Sequence, residues 1–502
     1  MKKSEMSLPR STFSPQLLAA LGGGIQRLCN DSRRVRPGDV FVAYPGVARD
    51  GREFIAQAIA AGARAVIWDA DGFLWPQRWS IPNLGVNGLR AMAGEIAAYV
   101  AGEPANALWM IGVTGTNGKT SCSHWIAQAL NDVGRPTAVI GTLGHGFPGA
   151  MTGLANTTPD ALALHELLAC YRDQHASCVA MEVSSHGLTQ GRLSGARFDV
   201  ALFTNLTRDH LDYHGDMASY GAAKARLFDW PGLQCAVINV DDSYGRGLVA
   251  RLSRSCVKVL TYGLAGGAIS GYRLELHRFG LDLEIRTPWG GGLVRSPLMG
   301  TYNAANLLGV LGVLLASEVP LDEALTALTR LQPVSGRMQT LGGEDRPLVV
   351  VDYAHTPDAL EQVLTALRAH HADRELICVF GCGGERDPGK RPLMGAVASR
   401  LADRVVITSD NPRSEDPAAI IADIAAGMRA PFAFESNRAR AIATAIMSAT
   451  PGDVVLIAGK GHESYQDIAS VRHPFSDVET ASACLAKWPD SVITNDSGRP
   501  AP

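Results

Sequence analysis

One segment constrains this chain more than any other. An apolar run over 107–113 leads without interruption into Val113-Thr-Gly-Thr-Asn-Gly-Lys-Thr-Ser121, and a helical pattern follows over 123–130. Strand, Gly-rich turn and helix in that order gather backbone N–H groups at a helix N-terminus, where their partial positive charge attracts phosphate oxygens. Within the loop, Gly115, Thr116, Asn117, Gly118, Lys119, Thr120 and Ser121 are the candidate phosphate contacts, with Lys119 neutralising β- and γ-phosphate charge and Thr120 placed to touch magnesium. The GxxxxGK[ST] template wants glycine where Val113 stands, so the match is to the shorter GTNGKT form. A Gly-rich turn with an exposed lysine is the plainer alternative, disfavoured by the strand before it and the helix after it. Further strand-like runs at 178–182, 200–204 and 236–239 alternate with helical stretches, which predicts a doubly wound parallel sheet.

A chain of 502 residues is too long for one core and suggests roughly three domains. Before the loop, apolar runs at 40–43 and 65–68 flank an Ala-rich helical segment at 54–61, as in a small α/β domain. After a helical stretch at 321–331 and Pro333-Val-Ser-Gly336, strand-like runs recur at 348–351, 376–380, 404–408 and 454–458. The expected division is therefore three α/β domains: 1–106, a central P-loop domain at 107–332, and a Rossmann-like domain at 333–502. Hydrophobic residues at 46% and charged residues at 19% suit a globular chain, and a net charge of -3 gives no general reason to expect nucleic acid or an anionic membrane as partner. The nine cysteines show neither a CxxC pair nor zinc spacing, so core packing is their expected role. No signal-peptide core follows the N-terminus and no run of about 18 uncharged apolar residues occurs, so the protein is expected to be cytoplasmic, without membrane insertion. The tail after Trp488 is polar and expected to be mobile.

Two further segments, 181–187 and 204–212, follow predicted strands, at the sheet end where ligands of open α/β sheets gather. Glu182 is a candidate ligand for a hard cation and His210 a candidate nitrogen ligand for a second one. Taken singly, a solvated glutamate and a structural histidine are the default readings. Lys224 lies among small residues in a short helical pattern; residue physics alone favours a snorkelling surface lysine, whereas a desolvated one would have a lowered pKa and react as the neutral amine.

Together, GTNGKTS, NTTPD at 156–160, EVSSHGL at 182–188, DHLDYHG at 209–215 and YNAAN at 302–306 resemble the Mur ligases. SGRM at 335–338, DYAHTPD at 352–358, GCGGERD at 381–387, DNPR at 410–413 and GKGHE at 459–463 extend the resemblance from about Asp31 to Glu479. It implies an N-terminal domain for a UDP moiety, a central ATPase domain and a C-terminal domain that brings an amino acid. It also implies a reaction: ATP phosphorylates the D-glutamyl γ-carboxylate of UDP-N-acetylmuramoyl-L-alanyl-D-glutamate, and an amine displaces phosphate. By the same resemblance Lys224 is a carbamylated lysine that binds magnesium beside Thr120, Glu182 and His210, which reverses the surface reading. Asn303, Arg337 and Asp352 correspond to ATP contacts. Asn30, Ser32, Val47, Ala48 and Arg49 correspond to uracil-nucleotide contacts, and Asn156, Thr157, Thr158, Ser184, Gln190 and Arg192 to contacts with the muramoyl dipeptide.

Diaminopimelate differs from lysine by a second carboxylate, so a site choosing it needs a guanidinium able to form two parallel hydrogen bonds. Asp410-Asn411-Pro412-Arg413 supplies one, and in the family this motif accompanies addition of meso-diaminopimelate. Arg386, Gly461 and Glu463 correspond to the remaining contacts. A structural alternative pairs Arg413 with Glu415 or Asp416. The expected enzyme is a monomer using ATP and Mg2+. Two other functions stay open: a folylpolyglutamate synthetase, disfavoured by Asp31-Ser-Arg33 and DNPR, and a nucleotide-binding scaffold, which has no need of two metal positions. The roles of His186, His355 and His462 stay open, with a structural role for each as one possibility.

Overall fold

The computed structural model describes residues 13–22, 24–46 and 49–488. Its first sheet is parallel throughout, in the order β1 (Leu28–Cys29), β2 (Val40–Ala43), β3 (Ala65–Asp69) and β4 (Asn83–Val86). Alternation along β2 feeds two cores: Val40 and Val42 pack on the side of the helix Leu89–Val100, while Phe41 and Ala43 pack on the side of the helix Ile55–Ala60. Coverage of both faces is why this strand is written as a continuous apolar run.

The second sheet has eleven strands. Its centre is parallel: β5 (Trp109–Thr114), β6 (Thr137–Gly141), β9 (Cys178–Glu182), β10 (Val200–Phe203), β11 (Cys235–Asn239) and β12 (Lys258–Gly263) lie in the order β12-β11-β10-β5-β9-β6. The doubly wound expectation describes this centre, but the sheet continues on both sides into antiparallel hairpins, the one beyond the last central strand being joined to it by a short parallel pairing. Beside β6 lie β7 (Gly144–Phe147) and β8 (Ala150–Thr152), and beyond β12 lie β13 (Ile269–His277), β14 (Gly280–Thr287) and β15 (Gly290–Ser296). Strands covered on one face alternate instead of running apolar. On β14, Leu281, Leu283 and Ile285 enter the core with the helix Thr301–Ala316, whereas Asp282, Glu284 and Arg286 are not part of it. A search for apolar runs passes over such strands.

The third sheet runs β16 (Gln339–Gly342), β17 (Leu348–Asp352), β21 (Val454–Ala458), β18 (Leu376–Phe380), β19 (Arg404–Ile407) and β20 (Ala433–Phe434), parallel except for β16. A hairpin, β22 (Tyr465–Ile468) and β23 (Val471–Pro474), follows. The loops that leave the C-terminal ends of β5, β9, β10, β17, β18, β19 and β21 carry seven of the ten motifs, as the rule for open parallel sheets leads one to expect.

Candidate active site

The loop after β5 is held from below. Thr116 N–H donates to Asn205 O (2.8 Å), Asn117 N–H to Asn205 Oδ1 (2.9 Å), and Thr204 Oγ1 to Asn117 O (2.6 Å). Gly118, at φ 85°, opens the helix Lys119–Asp132, and a Cβ there would lie 2.7 Å from Asn306 Oδ1. That helix starts four residues before the expected 123–130 segment because its first turn, Lys-Thr-Ser-Cys, has no apolar period to show.

Two lysine side chains converge on one carbonyl: Lys119 Nζ donates to Gly115 O (2.9 Å) and Thr116 O (2.7 Å), and Lys224 Nζ to Gly115 O (2.6 Å). The surface reading of Lys224 is thereby corrected. Its side chain is 1% exposed and lies 4.4 Å from the Tyr220 ring centroid, because the helix Met217–Ala225 turns Tyr220, Gly221, Ala223 and Lys224 inward. Burial, reinforced by Lys119 and opposed by Asp209, holds its pKa well below the usual lysine value. Burial likewise lowers Lys119, against the pull of Glu182 and Asp209.

Beside the lysines, the His186 ring lies tilted against Tyr213 at 4.1 Å and meets His210 edge-on at 4.8 Å. Burial and the neighbouring imidazoles push His186 down to about 4. Burial does the same to His210, despite Asp209 Oδ2 at 3.2 Å from its Nε2. Glu182 is fully buried and both its oxygens accept from Thr142, from N–H at 2.7 Å and from Oγ1 at 3.1 Å. Among the described residues no three His, Cys, Asp or Glu side chains are grouped to hold an ion, so Glu182 and His210 do not by themselves form a metal cage.

A cavity of about 550 Å³ extends from the loop, lined by Thr116, Asn117, Lys119, Thr120, Thr157, His210, Asn303, Arg337 and Asp352 among others. Arg337 Nη2 donates to Thr120 Oγ1 (3.1 Å), its guanidinium sits 4.4 Å from the Tyr353 ring centroid, and Asn117 Nδ2 donates to Asp358 Oδ2 (3.0 Å). The 333–358 segment therefore meets the phosphate loop directly. Asp352 does more holding than reaching: Oδ1 accepts from Ala354 N–H and Oδ2 from Met338 N–H, each at 2.7 Å. Asn303 donates to Met299 O (2.8 Å) and accepts from Asn306 Nδ2 (3.3 Å). Arg337 Nε, Tyr302 Oη and His462 Nδ1 are buried without a hydrogen-bond partner among the described residues, and burial with Arg337 and Lys460 nearby takes His462 down to about 3. Unspent polar atoms beside a helix N-terminus and two lysines fit a polyanionic ligand.

A second cavity, about 830 Å³, brings together Asn30, Ser32, Arg49, Asn156, Gln190 and Arg192. Val47 and Ala48 lie outside the described residues. Arg33, Arg34, Arg90 and Tyr44 also line it and were passed over, although Arg33-Arg34 was a visible cationic pair. Thr158 and Ser184 do not line either cavity: the Thr158 hydroxyl sits against Glu182 O and Ser184, and Ser184 Oγ caps the helix Ser185–Thr189 by accepting from Gly187 N–H.

The third group of singled-out residues forms one cluster. Asn411 Nδ2 donates to Glu463 Oε2 (2.8 Å), Pro412 is buried, Asp410 is buried with its pKa raised by desolvation, and Arg386 is exposed. Gly461 approaches Gly336 so closely that a Cβ would lie 2.6 Å from its carbonyl oxygen. Arg413 does not pair with Glu415 or Asp416; its Nη1 donates to Gly384 O, and its backbone holds φ 53°. Glu415 is occupied elsewhere, accepting from Glu385 N–H and from Arg391 Nη2 (2.7 Å). Arg391, 3% exposed and also bound to Asp423 (2.9 Å), thus ties the 383–386 loop to the DNPR loop. No sequence signal singled it out.

Three family descriptions match in chain order: "Mur ligase family, catalytic domain" over 24–100, "Mur ligase middle domain" over 113–314, and "Mur ligase, glutamate ligase domain" over 336–461. The UDP-N-acetylmuramoyl-L-alanyl-D-glutamate--2,6-diaminopimelate ligase of Chromobacterium violaceum is 53% identical over 491 residues, 97% of this chain and 99% of that protein. The Pseudomonas aeruginosa protein of the same name is 54% identical over 469 residues, covering 92% and 96%. A solved structure bearing that name superposes with a TM-score of 0.66 at 38% identity over 92% of this chain and 95% of that one. Identity at this level across almost the whole length, on the strand order and phosphate loop described above, means that the chain belongs to the Mur ligase family.

Proposed function

We propose that this chain is the ATP-dependent ligase that joins meso-2,6-diaminopimelate to the D-glutamyl γ-carboxylate of UDP-N-acetylmuramoyl-L-alanyl-D-glutamate, releasing ADP and phosphate, in cytoplasmic peptidoglycan precursor synthesis. The observation that carries the choice of amino acid is the cluster in which the Glu463 carboxylate is bonded to Asn411 while Arg413, two residues on, and Arg386 both flank Gly383. A carboxylate for an ammonium and guanidinium forks for carboxylates complement a diamino diacid. The nearly full-length relatives named for this reaction support the same reading. No helix among the described residues is long and apolar enough to cross a membrane. We take the enzyme to act as a monomer with three functional units, 1–106, 107–332 and 333–502.

A carboxylate resists attack by an amine until one oxygen becomes a leaving group, so the γ-phosphoryl of ATP passes to it and the resulting acyl phosphate is then opened by the amine. In this scheme the loop N–H groups, Lys119 and Arg337 hold the triphosphate, with Asn303 and the Asp352-ordered backbone shaping the nucleotide side of the cavity. Asn30, Ser32 and Val47 to Arg49 take the uridine end of the second substrate, and Asn156, Thr157, Gln190 and Arg192 its peptide end; Thr158 and Ser184 shape that surface from behind. The hydroxyl of Thr120 and the carboxylates of Glu182 and Asp209 would supply hard oxygen donors for magnesium, which would neutralise charge on the transferring phosphoryl group. The amine of Lys224 is no such donor. Because burial favours its neutral form, it can add carbon dioxide, releasing a proton and becoming a carbamate whose oxygens join the set with His210. Phosphate release from the purified enzyme, with the UDP-linked dipeptide and a panel of amino acids, tests the proposal: release should require the dipeptide and be far faster with diaminopimelate than with lysine. ADP formation indifferent to either substrate would sink it.

A further inference from the structure

Lys460 is a charged group of the amino-acid cluster with no access to solvent. Its side chain is 0% exposed, yet it sits one residue before Gly461 and three before Glu463. Its Nζ donates to Glu463 Oε2 (2.8 Å) and to Asn411 Oδ1 (2.9 Å), with Asp410 Oδ1 at 3.7 Å. Asn411 Oδ1 also accepts from Asp467 N–H (2.9 Å). With that oxygen spent twice, the amide has one orientation, which turns Nδ2 to Glu463 Oε2. Glu463 Oε2 is in turn spent twice, and its Oε1 has no hydrogen-bond partner among the described residues. Behind this layer the fully buried pair Arg438 and Asp477 fixes the backbone, Arg438 donating to Ser409 O (3.3 Å) and Ala458 O (2.9 Å), the residues before Asp410 and before Gly459-Lys460.

We infer that Lys460 is the positioning residue of the amino-acid subsite: it fixes the Asn411 amide and one oxygen of Glu463 so that the other oxygen is presented to the incoming ammonium. This inference rests on the function proposed above. Without the ammonium of Lys460, Glu463 Oε2 keeps only the Asn411 amide, which has itself lost one of the two donors that fix it, and a carboxylate held so loosely no longer presents its other oxygen in one direction. A structural lysine would act on all substrates alike. A positioning lysine acts on the amino acid alone, and through Glu463.

The test is steady-state kinetics of Lys460→Met, Glu463→Gln and the double variant, with diaminopimelate, ATP and the UDP-linked dipeptide varied in turn, alongside the ADP-induced rise in Tm. Lys460→Met should raise KM for diaminopimelate about 10- to 100-fold, the loss of one charged hydrogen bond. KM for the other two substrates and the ADP-induced rise should hold within about twofold, which is below the effect of a single net hydrogen bond. The double variant should resemble the worse single one, because both act on the same contact. An unchanged KM for diaminopimelate, equal damage to all three substrates, or multiplicative effects in the double variant would overturn the inference. Should Lys460→Met lack the ADP response, Lys460→Gln, a neutral side chain that still donates to Asn411 or Glu463, carries the same comparison. A wild-type enzyme inert with diaminopimelate but active with another amino acid would overturn the function proposed above instead, and the variants would then be compared with that amino acid.

Discussion

Arg413 is an arginine where the backbone wants glycine, and replacing it by glycine separates binding from folding. Its φ of 53° is held from both sides: Arg413 N–H donates to Asp467 O (2.9 Å), and Ala469 N–H donates to Arg413 O (2.7 Å). A left-handed conformation costs an L-residue about 1–2 kcal/mol, and glycine relieves it. Against that gain stand the bond from the charged guanidinium to Gly384 O, about 1.5–3 kcal/mol, and the greater freedom of glycine in the unfolded chain, about 0.4–1 kcal/mol. The losses exceed the gain by roughly 1–2 kcal/mol, so Arg413→Gly should lower Tm by no more than about 2–8 °C, at about 2–4 °C per kcal/mol in a domain of this size. Losing a charge-assisted bond to the distal carboxylate costs about 1.5–3 kcal/mol, so kcat/KM for diaminopimelate should fall about 10- to 100-fold while the poor activity with lysine is unchanged. Coupled phosphate release and differential scanning calorimetry measure the two effects. Arg413→Gly with unaltered kcat/KM for diaminopimelate, or with Tm lowered far beyond that margin, would refute the argument that a strained backbone is kept for the sake of its side chain.

Lys224→Ala should abolish substrate-dependent phosphate release; bicarbonate should not restore it, short carboxylic acids should do so in part, and full activity in the variant would show that no carbamate is needed. Gly118→Ala combines a positive φ with a Cβ 2.7 Å from Asn306 Oδ1, so its Kd for ADP by titration calorimetry should rise about tenfold, and an unchanged Kd would contradict the loop geometry. His186 and His210 are held down from 6.5 to about 4 in the fold, so the stability they lend is complete above pH 6.5 and is lost as pH falls towards 4, where the unfolded imidazoles bind protons that the folded ones refuse. The decline of Tm between pH 6.5 and 4 should be shallower in His186→Asn than in the parent, and parallel declines would remove these imidazoles from the account.

What could be read from the chain alone depended on how each part is buried. Strands covered on both faces, such as β2, β9 and β21, were legible to within a residue because nothing polar interrupts them. The half-covered β13 to β15 were not, since every second residue faces away from the core. The phosphate loop needed only local order, and it stands where strand, turn and helix predicted. Lys224 was illegible to residue physics because its burial comes from Tyr220 and a carbonyl 109 positions earlier in the chain, a contact that no local pattern encodes. Arg391 and Lys460 were missed for the same reason: each acts on side chains brought near by loops from other strands.

The hydrogen bonds from Asn117 to Asp358 and from Arg337 to Thr120 have a consequence for turnover. Groups on the phosphate loop that would serve a triphosphate are here satisfied by residues beyond position 336. An arriving nucleotide must therefore exchange partners instead of filling unsolvated space, and the net gain per exchanged bond is small. Loading and the grip between the two halves draw on the same few atoms, so departure of the spent nucleotide is helped by a protein that already supplies substitutes for it.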